Sequence, residues 1–413
     1  MNPRACPDTL PTSRFCFLGA RSMSCALMTM IICVGSSCKS NSTTDSEPGI
    51  AHRSSDTSAP NASSSDPAVS AEVEKKYVIG PAAARELNYR IDWQYIGAGD
   101  KLRQLTAQGD SVFALDNRNF LTRIKVQGGS RLWQVSVADP IEEIIGINFL
   151  GDRVYLTSGG SMVVLDAGTG SQIGKTRLNK IANTVPVPMA PFLIYGSRDG
   201  QIVWHSLVTN YEWKSYQVAH SIEIQPQLVD GYIVAIGSEG TVTVLNAAYV
   251  TQYWSKQLLN AITAAPAVGG GKVYVPGLDQ YLWAFDINSG RTLWKVLTES
   301  PLTESPVLID DRVYQQVPKE GLACLSADPG SMAGQVFWKA PSVKGDVLFQ
   351  HQESLFVWDR ASSKMSLLDP KHGSVSNSIS LPAVKRLLVA GQNHDELYAA
   401  SDDGRVIHLV PRN

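Results

Sequence analysis

The sequence predicts an all-β chain: an eight-bladed β-propeller of four-stranded antiparallel blades over residues 88–413. Tryptophans recur at a period near forty residues, Val-Tyr pairs and Asp or Asn positions keep the same period, and the last repeat lacks a strand that stands alone before the first. Independent landmarks that hold one period are the mark of stacked, self-similar units.

Trp93, Trp133, Trp213, Trp254, Trp294 and Trp338 are 40, 80, 41, 40 and 44 residues apart. The interval of 80 is a doubled period, with Gly174 near the vacant position. Tyr155 to Tyr195 and Tyr274 to Tyr314 each span 40, Asp166 to Asn246 spans 80, and Asn246 to Asp286 spans 40.

Within a repeat the elements follow in a fixed order. An apolar strand comes first. A Val-Tyr-like strand follows, as at Val154-Tyr155, Ile194-Tyr195, Val273-Tyr274, Val313-Tyr314 and Leu397-Tyr398. After a Gly or polar turn comes a strand ending in Asp or Asn: Met162 to Asp166, Val242 to Asn246, Leu282 to Asp286. A short strand around the Trp closes the unit. Each run is strand-length, alternating or wholly apolar, and ends at turn residues. Four such strands make a blade whose two faces are both apolar, so only a closed ring covers every blade.

Seven units run from about residue 100 to 381, and an eighth from 383 to 410. The eighth has no Trp strand after it. The segment Arg90-Ile-Asp-Trp93-Gln-Tyr-Ile96 is predicted to supply it, which closes the ring and removes an exposed strand edge. Two units are atypical: the second carries Gly174 for Trp, and the seventh has the polar final strand Ser374 to Ser380. Both read as degeneracy that strong neighbours tolerate.

Upstream of the array the chain changes character. Cys25 to Val34 is an apolar run of ten residues, right for a signal-peptide core and too short to span a bilayer. Gly35-Ser36-Ser37-Cys38 resembles a bacterial lipobox, with Gly35 where Leu is usual. Residues 1–37 are therefore expected to be a lipoprotein-type signal peptide, with Cys38 the lipidated mature N-terminus. Cleavage of an ordinary secretory signal, leaving Cys38 unmodified, and a cytoplasmic chain are the alternatives. Residues 38–87 are expected to form a leash, because 39–72 are crowded with Ser, Thr, Asn, Asp and Pro and cannot bury enough surface to order themselves. Lys39, in place of the retention residue Asp, directs the lipoprotein expectation to the outer membrane, facing the periplasm; secreted or periplasmic is the alternative.

Of six cysteines, only Cys324 lies beyond Cys38, so the propeller must be stable without an internal disulfide. A net charge of −2 provides no field that favours nucleic acid, and no basic aromatic stripe suggests it either.

The succession Val-Tyr, turn, Leu-Asp-Ala, Thr-Gly, Leu-Trp resembles the PQQ-like propeller repeat. It is clearest from Val154 to Gly170 and from Val273 to Trp294, and it covers roughly residues 90–410. The resemblance implies two branches of function. One is the quinoprotein dehydrogenases, which hold pyrroloquinoline quinone and a metal on the propeller axis. The other is non-enzymatic lipoproteins, notably the B subunit of the outer-membrane β-barrel assembly machine, which has the same plan of signal, lipobox, leash and eight blades.

The sequence offers no candidate catalytic, metal or cofactor residues. The propeller has no adjacent cysteines and no clustered acidic ligands. His205, His220, His351, His372, His394 and His408 are not paired at metal-ligand spacing. No Gly-x-Ser-x-Gly elbow occurs. Gly97-Ala98-Gly99 and Gly269-Gly270-Gly271 read as turns, and Arg198-Asp199-Gly200 as a hairpin. Asp166, Asn246, Asp286 and Asp369 recur at one junction and read as Asx-turn caps rather than a ring of ligands. The expectation is a non-catalytic, membrane-tethered scaffold that binds protein partners through propeller-face loops, with outer-membrane protein assembly as its setting. A small-molecule-binding or sensory propeller is the alternative, and a quinone-dependent dehydrogenase a more distant one.

Overall fold

The computed structural model describes residues 67–98, 101–390 and 395–412, with side chains from residue 72. The expectations for the signal peptide, Cys38 and the leash as far as residue 66, and for His394, lie outside these residues. Eight four-stranded antiparallel sheets stand in a ring, as the period predicts. Seven follow chain order, with strands A to D running from the axis outward. Blade 1 comprises Leu102–Gln108, Ser111–Asp116, Phe120–Lys125 and Arg131–Ser136. Blades 2 to 7 span residues 144–177, 187–217, 227–257, 267–297, 307–340 and 346–380. Blade 8 takes strands A to C from Arg386–Ala390, Glu396–Ala400 and Arg405–Pro411, and strand D from Tyr89–Ile96, with Trp93 opposite His408.

The core lies between blades. Phe113, Leu115 and Leu121 of blade 1 pack with Ile147, Val154 and Leu156 of blade 2. A repeat tryptophan locks five of these seams. Trp133, Trp254, Trp338 and Trp93 donate their Nε1–H to a carbonyl one or two residues past strand C of the next blade: Ala167 at 3.0 Å, Ile287 at 2.7 Å, Pro370 at 3.0 Å and Val126 at 2.5 Å. Trp294 stands in the same place, but the equivalent carbonyl, Ala327, accepts Tyr274 Oη at 3.2 Å.

Under each of these five indoles lies a glycine of the next blade's C–D turn. Gly129, Gly170, Gly290, Gly334 and Gly373 all have positive φ. A Cβ added to them would sit 2.4–3.0 Å from the ring of Trp93, Trp133, Trp254, Trp294 and Trp338 respectively. Glycine is thus required twice, for the left-handed backbone and for the close approach. The spacing of 44 before Trp338 comes from a longer C–D turn in blade 6, which places Gly334 eight residues after Ser326 instead of four.

Trp213 departs from the repeat. In five blades the docked Trp pairs across the sheet with Arg123, Val244, Ala284, Cys324 or His408. In blade 3 the equivalent pair is Trp204 and Lys214, and Trp213 is the bulge residue beside it. One residue of slip turns a side chain to the opposite face of a strand. Trp213 is accordingly 43% exposed, stacked on Phe192 at 4.8 Å with Lys214 Nζ 4.7 Å over its ring. The seam is filled from the next strand inward: buried Trp204 donates to Ala247 O at 2.8 Å, the carbonyl a regular Trp would reach. Val250, with φ 60°, occupies the turn position that is Gly beneath the five docked tryptophans and Asn210, φ 53°, in blade 3.

The seventh seam corrects two expectations. Asn377 takes the Trp position there, opposite Leu367. The gap is covered by residues assigned to the leash. Helix α1 (Pro67–Lys76) begins within the polar tract, and helix α2 (Pro81–Glu86) follows it. Pro81 opens α2 at its first turn, three alanines carry it, and Asn88 at φ 64° ends it. Val78, Ile79, Ala84 and Leu87 are buried with Trp358, Met365, Ile379 and Ile407 of blades 7 and 8. Asn377 Nδ2 donates to Glu86 O at 3.3 Å, and Gln94 fixes the connection through Lys76 O and Val78 N at 2.9 and 2.8 Å. The packed unit therefore begins about ten residues before 88. The polar seventh strand faces a helical cover, so it is not simple degeneracy.

Candidate interaction faces of the propeller

Strand order gives the ring two faces. One carries the A–B and C–D hairpins; the other carries the B–C turns and the D–A connections between blades.

The C–D turns are rigid. Asp166 Oδ1 accepts Thr169 N and Oγ1 at 2.7 and 2.8 Å, and Asp286 Oδ1 accepts Ser289 N at 2.8 Å. Asn246 Oδ1 accepts Ala248 N and Tyr249 N at 2.9 Å, and Asp369 Oδ1 accepts Lys371 N at 2.8 Å. These are Asx turns. Donation from Thr169 and Ser289 holds the Asp166 and Asp286 carboxyls below the usual carboxylate range. Ser206 and Ser326, which the sequence reading passed over, do the same work: their Oγ accept Thr209 N at 3.3 Å and Asp328 N at 3.1 Å. The B–C turn at Arg198-Asp199-Gly200 is a hairpin turn, with Gly200 at φ 82°.

The D–A connections form the more varied face. Those at 178–186, 218–226, 258–266 and 298–306 are nine residues long, and each ends in proline: Pro186, Pro226, Pro266, Pro306. Each is pinned from below by a buried residue: Ala182, Ile222, Ile262, Leu302. Both series have a period of 40. Against this fixed background, Ile141 and Leu259 point outward at 96% and 86% exposure, with Ile181 half exposed.

On this face a cavity of 770 Å³ opens where the first strands converge, bordered by Arg103 and Arg386 from blades 1 and 8 and by Glu143 and Glu223 across from them. Arg386 Nε donates to Arg103 O at 3.1 Å. One side of the mouth is thus basic and the other acidic. A second cleft, of 610 Å³, lies over blades 6 and 7, lined by Glu304, Lys344, Asp346 and Trp358. Burial, then the neighbouring Asp346, pushes the Glu304 carboxyl up. Glu142 shows the opposite balance: Ser158 and Ser161 donate to its Oε1 at 2.7 and 2.9 Å, and Ser158 foremost holds its carboxyl down. The spacing of the landmarks located none of these mouth residues, because the A strands and D–A connections that carry them hold no repeated charged landmark.

Among the described residues, no three His, Cys, Asp or Glu side chains gather as they would around a metal ion. His220 faces Glu239 at 2.9 Å and His372 faces Asp369 at 2.7 Å, both at the surface. His205 is buried, which lowers its affinity for a proton. His408 sits between Asp92 and Glu396 at 3.2 and 3.1 Å. Burial pushes the thiol of Cys324 up to about 11, so it stays protonated. No helix among the described residues is long and apolar enough to cross a membrane.

The family model described as outer membrane protein assembly factor BamB matches residues 193–413, more than half of the chain. The chain belongs to the BamB family. Curated proteins named outer membrane protein assembly factor BamB, from Yersinia pestis and Moranella endobia (strain PCIT), are 24% and 23% identical to it over 262 and 252 residues, or 59% and 56% of the chain. These matches span 58% and 63% of the two relatives' own length. Among solved structures, BamB from Moraxella catarrhalis superposes with a TM-score of 0.61 at 18% identity, covering 78% of this chain and 99% of that one. The computationally designed protein Ika8 superposes with a TM-score of 0.60 at 18% identity, covering 75% and 96%. The structural likenesses speak to the fold alone, since a designed protein shares it as closely as a BamB.

Proposed function

We propose that this chain is a non-catalytic scaffold for outer-membrane protein assembly, lipid-anchored at Cys38 on the periplasmic side and binding protein partners through the D–A face. The family match carries this reading. Two structural features support it. Every blade, with the helical cover, serves to close the ring, and no domain with its own core stands beside the blades among the described residues. The D–A loops are fixed in place yet present Ile141 and Leu259 almost fully to solvent, as an apolar contact set on a rigid support does.

The test is affinity capture of the native protein from cross-linked cell envelopes, with mass spectrometry of its mature N-terminus. Expected are β-barrel assembly components in the eluate and a lipid on Cys38. The double variant Ile141→Glu, Leu259→Glu should lose most of the captured partner at unchanged melting temperature. An unmodified Cys38 removes the tether. An eluate without assembly components, together with a gene deletion that leaves barrel proteins at normal levels, removes the assembly role. The charged axial mouth favours a second reading, a small polar ligand held on the axis.

A further inference from the structure

We propose that the closing blade carries an oxyanion site for a phosphate group, on the face opposite the D–A loops. A cavity of 530 Å³ opens there, lined by Arg90, His351, Asp395, Val410 and Arg412. Arg90 belongs to the first strand of the propeller and Arg412 follows the last. Arg90 pairs with Val410, and Arg412 N bonds Asn88 O at 2.9 Å, so the two arginines are diagonal neighbours on one face of an antiparallel pair.

Two like charges so placed repel, and the chain supplies little to offset them. The acid nearest Arg90 is Asp92, at 3.9 Å, and Asp92 is also engaged by His408 Nδ1 at 3.2 Å. The Arg412 guanidinium has no hydrogen-bond or ion-pair partner among the described residues. The one carboxylate of the cavity, Asp395, is turned to His351, whose Nδ1 lies 3.7 Å away, while its carbonyl accepts Tyr89 Oη at 2.6 Å. The cavity therefore offers two planar donor forks, with its one carboxylate facing His351. A phosphate matches such forks, taking paired N–H bonds from each and balancing both charges. Because the forks come from the two strands that close the ring, a bound phosphate also staples that closure.

The test is calorimetric titration of inorganic phosphate into the full chain at constant ionic strength, with thermal melting in parallel. Saturable binding with a rise in melting temperature is expected. Arg412→Gln should weaken it about tenfold, the loss of one charge-assisted pair. Arg90→Gln with Arg412→Gln should abolish it, while Arg153→Gln on blade 2 leaves it intact; circular dichroism checks that each variant folds. Vesicles of phosphatidylethanolamine and phosphatidylglycerol distinguish the sources. Recruitment that the double variant loses and inorganic phosphate competes away assigns a lipid headgroup. Phosphate binding without recruitment assigns a free phosphate. Absence of saturable phosphate binding, or binding that survives the double substitution in a folded protein, overturns the site. This outcome is independent of whether assembly components are captured.

Discussion

At Gly290 a Cβ would lie 2.6 Å from the indole of Trp254, and φ is 69°. Gly231 has φ 82° but open space where its Cβ would be. Replacing each by alanine separates the two demands on the turn. Gly231→Ala should cost about 1 kcal/mol, the backbone term alone. Gly290→Ala should cost about 2–4 kcal/mol, since overpacking at the seam adds to it; urea unfolding of both variants measures the difference. The same residues show what the sequence disclosed. The period of 40 located the docked tryptophans because a Trp is visible wherever it stands. It misplaced Trp213, for which the interval of 41 to Trp254 was the only trace of a one-residue slip. It passed over Ser206 and Ser326 because a hydroxyl caps the turn as a carboxylate does but is too common a residue to stand out.

Among the elements, α2 was the least legible. Six residues are too few to show a helical period, and its alanines carry no amphipathic stripe. Its place becomes intelligible from the blade it covers: Asn377 leaves a seam without an indole, and Leu87 with Ile79 fills it. Leu87→Ala is therefore expected to cost about 2–5 kcal/mol, the loss typical of a core leucine. A residue of a solvated leash would cost almost nothing. Chemical denaturation of this variant decides between a leash and a structural cover. The strands, by contrast, were legible throughout, since each middle strand is apolar on both faces and bounded by turn residues.

For the molecule as a whole, the Val-Tyr landmark sets an alkaline limit. Burial raises the phenols of Tyr195, Tyr274, Tyr314 and Tyr398 in four different blades, and that of Tyr89 beside them. Each is raised above its unfolded value near 10, so its stabilising effect is intact below that pH and is lost as pH rises beyond it. The blades share their seams, so one cooperative loss is expected. Phenolate absorbance followed against circular dichroism from neutral to strongly alkaline pH should show these tyrosines ionising together with unfolding. Full ionisation of a chain that remains folded would contradict the burial on which this rests.

The pairing of Tyr89–Ile96 with Arg405–Pro411 also sets an order of events. The first strand of the ring leaves the ribosome or translocon hundreds of residues before its partner exists. Until then blades 1 to 7 can form in turn, but the array remains an open arc with an uncovered apolar blade face at each end. A product halted anywhere short of the last strand cannot close, however well its finished blades are packed. Closure of the ring thus waits for synthesis of its last strand, and it takes place beside Lys75 and Val78.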